Sequence, residues 1–409
     1  MYHHRTPAAR AARLALLLTL VTTLAAVAPV ASTPSKLAAY AAIGFDYTPE
    51  PRLAEVRLDS PRWTFVDAPP VPDTVAKDET RLFHGLALLR DVDLADGVIE
   101  FDVRSGSAPA VVFHAQSSEE YEMVYLRMGQ SDTPVAVQYV PVYRRFVPWR
   151  LYGDAQGTAT LDSVGRNHVR VEILGRSLRV FLNGASAPNL VTTLRHRARR
   201  GAIGLSSFSG HDRFSHFRYA ALPHTSASDA DSVGPMHPGA ITQWTLSPLL
   251  MDTPITQRPP IDLSGWRPIT ADGEGRVDIS PYSPTVIAEG RVVPVAARTV
   301  LRRDHAGTER LALGFCDRAV VYLNDRQIFS GSLPPKRNGD FVRLAMNDTL
   351  SLDLRAGANE LFVVTTGNAY GDNGGWGFVA RLVQDGASPR AAAGNGGVER
   401  GRGVPHTGA

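Results

Sequence analysis

A chain of 409 residues with 44% hydrophobic side chains can bury two ordinary cores, because single cores stop growing well below this length. Its net charge is only +3, and its cations are nearly all arginine spread along the chain, with lysine confined to Lys36, Lys77 and Lys336. That dispersion argues against a nucleic-acid or other polyanion surface, and the single cysteine, Cys316, excludes an intramolecular disulfide.

Residues 1–31 read as a helical signal peptide for secretion. Arg5, Arg10 and Arg13 make a positive start, Leu14 to Val30 is apolar, and Ala28 or Ala31 supplies the small residue expected at a cleavage site. The apolar run approaches the length that spans a bilayer, so a retained anchor is the competing reading. No later stretch is apolar for long enough to cross, and a mature protein outside the cytoplasm, periplasmic or extracellular, is expected.

From residue 45 the chain turns to short β-type runs separated by Gly, Asn, Asp, Ser and Pro. This predicts an all-β fold of two antiparallel β-sandwiches of jelly-roll type, the first over 45–222 and the second over 240–386. Gly97 to Arg104 alternates cleanly, with Ile99, Phe101 and Val103 on a core face and Glu100, Asp102 and Arg104 on a wet one. Leu178 to Leu182 runs into Asn183-Gly184, and Val320 to Leu323 into Asn324-Asp325, pairs that tolerate the positive φ of tight hairpin turns. Residues 223–239, rich in Ser, Asp and Pro, read as a linker, and 387–409, rich in Gly, Ala and Arg, as a disordered tail. Cys316 ends the apolar run Leu311 to Phe315 and is expected as a small buried hydrophobe rather than a nucleophile.

Rings and forked donors mingle between residues 121 and 152. Tyr121, Tyr125, Arg127, Gln138, Tyr143, Arg144, Trp149 and Tyr152 are the candidate ligand-binding residues, since a pyranose offers apolar C–H faces to rings and hydroxyls to directional donors. Period two sets Tyr121, Met123, Tyr125 and Arg127 on one face, expected to open on solvent as a groove. On that reading Trp149→Ala abolishes glycan binding and leaves the fold intact. Aromatics on strands are equally ordinary core.

Glu100, Asp102 and Glu122 are the candidate catalytic carboxylates, although residues 100 and 102 equally decorate the solvent face of a strand. His114, His168, His196 and His211 show no ligand spacing, so no metal site and no cofactor are expected. Asn368, Asp372 and Asn373 could ligate a structural calcium through oxygens.

The strand Gly97 to Arg104, then Asn167 to Ile173, the Val180 to Gly184 hairpin, and Gly201 to Leu205 with Phe214 to Phe217 resemble the concanavalin A-like lectin/glucanase superfamily. The order matches a laminin-G-like jelly roll and is similar to the domain of bacterial 3-keto-disaccharide hydrolases. One glucanase branch of that superfamily carries Glu-x-Asp-x-x-Glu on a strand; here Glu100-Phe101-Asp102-Val103-Arg104-Ser105 puts Ser105 where the second Glu would stand. Val321 to Phe329 and Leu354 to Leu361 resemble the galactose-binding-like β-sandwich that accompanies many glycoside hydrolases. These resemblances imply an exported carbohydrate-recognition protein with a glycan as partner and no nucleic acid. A secreted hydrolase acting on glycosides or 3-keto-disaccharides, and an adhesion or scaffold protein, are the alternatives they leave open.

Overall fold

Alternating apolar and polar residues commit the chain to sheets, and a computed structural model shows how those sheets pair. It describes residues 50–383 apart from 68–69, 73–77, 83, 209, 211, 224–235, 251–253, 260–261, 283–292, 334–343, 345, 347 and 368–374. The expected signal peptide over 1–31, most of the expected linker over 223–239, the expected tail over 387–409, His211, and Asn368, Asp372 and Asn373 lie outside the described residues. Those described are all-β, with antiparallel pairing throughout and two short 3-10 turns. Among them, no helix is long and apolar enough to cross a membrane.

Four sheets form. In the first, Gly97–Arg104 lies between Asn167–Leu174 and Asp212–Ala221, with Ser177–Leu182 and Leu190–Thr193 continuing beyond Asn167–Leu174. In the second, Gly201–Ser207 lies between Gly85–Leu94 and Pro109–Ala115, and the order continues through Tyr121–Leu126 and Val137–Val142 to Gln156–Gly157. Inward residues of both sheets, among them Phe101, Val103, Val111, Phe113, Val171 and Phe214, make one apolar core. The third sheet is built around Pro294–Arg303 and Gly357–Thr366 and the fourth around Gly307–Phe315 and Gly377–Leu382, with a second core that includes Trp244, Val321, Leu352, Val363 and Phe378.

Turn chemistry fixes both hairpins in the same way. Asn183 and Asn324 sit at φ 53° and 47°, a conformation asparagine tolerates. Each turn amide also clamps the next strand: Asn183 Oδ1 accepts from the His168 amide and its Nδ2 donates to Asn167 Oδ1, while Asn324 Oδ1 accepts from the Glu360 amide and its Nδ2 donates to Asn359 Oδ1. Asn167 and Asn359 are fully buried, where such amides need partners.

The two sandwiches belong to one compact unit and share their cores. Cys316, wholly buried, packs into the first core, and Phe146 packs into the second. Charged residues close the same junction: Arg195 and Asp154 from the first sandwich meet Arg276 and Asp272 from the second.

Candidate functional site

The expected aromatic and arginine groove is not a groove. Tyr121, Tyr125, Arg127, Gln138, Tyr143, Trp149 and Tyr152 are all buried, and only Arg144, in the Tyr143–Phe146 turn at φ 51°, faces solvent. The cause is a polar network that the 149–152 segment seals. Tyr125 OH donates to Gln138 Oε1 at 2.8 Å, Arg127 donates to Tyr125 OH at 2.6 Å and to the Val135 carbonyl at 2.7 Å, and the Gln138 amide donates to the carbonyls of Trp149 and Tyr152. Burial drives the Tyr121 hydroxyl up to about 12 and lowers Arg127 despite its tyrosine neighbour. A sugar cannot stack on the covered rings of Tyr125 and Trp149.

Trp149, 9% exposed with its indole under the guanidinium groups of Arg127 and Arg150, is therefore core rather than platform. We expect Trp149→Ala to destabilise the fold by about 3–5 kcal/mol, as core aromatic truncations do. Urea denaturation checks it, and a stability unchanged from the parent chain refutes the burial argument.

The three candidate catalytic carboxylates lie on two strands and play different parts. Glu122 is fully buried: His114 Nδ1 lies 2.8 Å from Oε2, Oε1 accepts from the Tyr139 hydroxyl and from the His196 amide, and no substrate can reach it. Its assignment as a catalytic group is corrected on that ground. Glu100 points outward from the first sheet but is gripped by Arg170 at 2.5 Å and Arg218 at 2.9 Å. Asp102 is bonded by His168 at 2.7 Å and His216 at 3.0 Å; burial pushes its carboxyl up, but the two imidazole bonds outweigh that and hold it below the usual range. A carboxylate held ionised cannot protonate a leaving oxygen. Ser105 bonds the buried Asp212 and lies buried with it.

The Glu122 pocket also sets an acid limit. Burial raises the carboxyl, yet the bond and charge of His114 outweigh it, so Glu122 titrates below its ordinary range. Burial lowers the neighbouring His196, whose Nδ1 accepts the Ala198 amide at 3.0 Å. A histidine depressed by folding withholds a proton that the unfolded chain takes, so its contribution is lost as pH falls below about 6.5, and that of Glu122 below about 4.3. Urea midpoints should be flat above about pH 7 and decline in two stages below it. His196→Asn, which keeps an acceptor for the Ala198 amide, should remove the upper stage; a decline unaltered in that variant refutes the assignment.

A solvent-reaching cleft of about 250 Å³ lies instead at the junction of the two sandwiches. One wall carries Arg176, Arg195 and Arg197, and the other Asp272, Arg276, Asp278 and Tyr282, with Tyr143 and Tyr152 also lining it. Arg176 follows Gly175, whose φ of 56° makes the tight turn between Asn167–Leu174 and Ser177–Leu182. Asp272 organises its own turn by accepting from the amides of Glu274 and Arg276, and Tyr282 ends the 3-10 turn Ser280–Tyr282.

Charges in this cleft divide into two sets. Arg195 and Arg276 are each bound to both Asp154 and Asp272, two cations against two anions. Tyr152 donates to Asp278 at 2.8 Å, and burial pushes the Asp278 carboxyl up. The remaining cations are unneutralised among the described residues. Arg176 bonds the Leu194 carbonyl at 3.1 Å, Arg197 bonds the Tyr282 hydroxyl at 2.8 Å, and Arg267 stacks on the Tyr282 ring at 4.2 Å. Arg199 is held by the carbonyls of His196 and Ala198. Cations spread along the sequence thus gather at one mouth. A second hollow, between Leu88, Arg90, Gln116 and Arg200, is lined by no aromatic ring.

No protein-family model and no curated protein matches the chain. Similar solved structures include a carbohydrate-binding module from Bacillus subtilis, 15% identical, covering 39% of this chain and 96% of the module with a TM-score of 0.31. A protein of unknown function with a galectin-like fold, also from Bacillus subtilis, is 9% identical over 42% of this chain and 100% of its own, with a TM-score of 0.31. The exoplasmic/lumenal domain of VIP36, in a form bound to Ca2+ and Man3GlcNAc, is 12% identical over 42% of this chain and 89% of its own, with a TM-score of 0.31.

Proposed function

We propose that the chain is an exported glycan-recognition protein whose binding site is the cleft between its two sandwiches. The observation that carries this reading is the half-buried Tyr282 ring beside the cleft, held by Arg197 on its hydroxyl and Arg267 over its ring. Arg267 and Arg197 lie over this ring at 4.2 and 5.5 Å, so they hold it in place and supply donors to sugar hydroxyls at its rim. The cleft is slightly smaller than the roughly 300–1,000 Å³ typical of drug-sized ligands, which suits one sugar unit rather than an extended chain. Tyr282 alone removes ~50 Å² of apolar surface at ~25 cal/mol/Å², roughly 1.3 kcal/mol, against about 4.1 kcal/mol for millimolar binding, so the arginines must supply most of the affinity.

Screening the full chain against immobilised neutral and acidic glycans tests the proposal. Binding to a subset, lost in Tyr282→Ala with thermal stability retained, is the expected result. Binding to none, or equal binding by the variant, refutes it. Hydrolysis at the same cleft is the second reading, favoured by Asp278, which burial keeps in its acid form to higher pH while Asp272 nearby is paired with two arginines. Product release from a bound oligosaccharide, abolished in Asp278→Asn, would support it, and binding without turnover would not.

A further inference from the structure

We infer that the cleft selects sugars bearing a carboxylate, such as a hexuronate, and that Arg176 is the residue that binds that group. The inference rests on the reading of the cleft as a glycan site. Arg195 and Arg276 are matched by Asp154 and Asp272, so they offer no surplus charge. Arg176 differs. Its guanidinium has one partner among the described residues, the Leu194 carbonyl, and no carboxylate; its Nε is buried with no acceptor, as are those of Arg195 and Arg276. A guanidinium on the cleft wall with a single acceptor keeps further N–H donors to offer a ligand oxygen. Burial first, and then the neighbouring cations Arg199 and Arg195, weaken the hold of Arg176 on its proton.

A planar carboxylate matches a guanidinium fork better than it matches an ammonium point charge. The ring of Tyr282 across the same cleft leaves the apolar face of the pyranose covered and its acidic substituent free to reach Arg176. Because the attraction is between charges near solvent, binding should weaken as salt rises.

Calorimetric titration of the full chain with a hexuronate oligosaccharide, its carboxyl-reduced neutral counterpart and a sulfated neutral oligosaccharide tests this. The uronate is expected to bind on the order of 10- to 100-fold more tightly than the neutral counterpart, the range of a charge-assisted hydrogen bond. Arg176→Met should remove that preference with the melting temperature retained, Arg176→Lys should restore only part of it, and Arg302→Met, which removes one exposed charge outside the cleft, should leave it unchanged. Equal binding of uronate and neutral sugar overturns the carboxylate assignment and leaves the glycan reading standing. Tighter binding of the sulfated sugar also overturns the carboxylate assignment, and binding of none of the three overturns both. A preference for uronate that survives in Arg176→Met removes Arg176 from the assignment.

Discussion

Replacing Glu122 with leucine should destabilise the protein by about 3–5 kcal/mol, the range for breaking a buried polar pair from one side. The side chain is fully enclosed, and its two oxygens receive His114 Nδ1, the Tyr139 hydroxyl and the His196 amide. Leucine fills the volume and satisfies none of them. Glutamine is the informative comparison. Its Oε1 can accept from Tyr139 and His196 as the carboxylate does, and its amide can donate to His114 Nδ1 if Nε2 keeps the proton that it donates to the Ala95 carbonyl, 2.9 Å away. Glu122→Gln should therefore cost roughly 1 kcal/mol. Equilibrium urea unfolding of both variants checks the pair of values. A leucine variant as stable as the glutamine one would show that the network contributes packing alone.

The same residue shows where the sequence stopped being legible. Alternation in Gly97–Arg104 set Ile99, Phe101 and Val103 in the core and leaves Asp102 and Arg104 half-buried on the other face, but Val98 and Glu100 on that face are buried as well. Period two failed on Tyr121–Leu126, where every residue is buried. One face lies under the 149–152 segment through Gln138, and the other carries Glu122 with its histidine and tyrosine. A strand covered on both sides loses the pattern that tells core from surface. The turns were readable because asparagine at positive φ is a local matter, as was the burial of Cys316.

Of the cleft, only Tyr143 and Tyr152 stood among the sequence candidates, since Arg176, Arg197 and Tyr282 come from distant stretches that only pairing of strands brings together. Its one local signal is the run Arg195-His196-Arg197-Ala198-Arg199-Arg200, the densest cationic stretch before the tail. Read as scattered charge, it hid a distinction that only contacts reveal: Arg195 is neutralised by two aspartates, whereas Arg197 and Arg199 meet only a hydroxyl, a ring and carbonyls among the described residues.

That distinction makes Arg276→Met the other severe substitution, with an expected cost of about 3–5 kcal/mol. Arg276 is buried, donating to Asp272 at 2.8 Å and Asp154 at 2.6 Å and lying over the Tyr152 ring at 4.7 Å. Methionine keeps much of the stem and takes a cation from two carboxylates that Arg195 also reaches, at 2.9 Å from Asp272 and 3.4 Å from Asp154. Lysine should recover little, because one ammonium cannot span both carboxylates as a fork does. A double-mutant cycle with Asp154→Asn separates the charge pair from lost packing. The doubly changed chain should be more stable than the sum of single effects predicts, by about 1–3 kcal/mol. Additive effects would mean that the ion pair joining the two sandwiches contributes nothing beyond the volume it fills. Since Arg276 and Asp272 also line the cleft, any glycan bound there should lose affinity in Arg276→Met even where the protein remains folded.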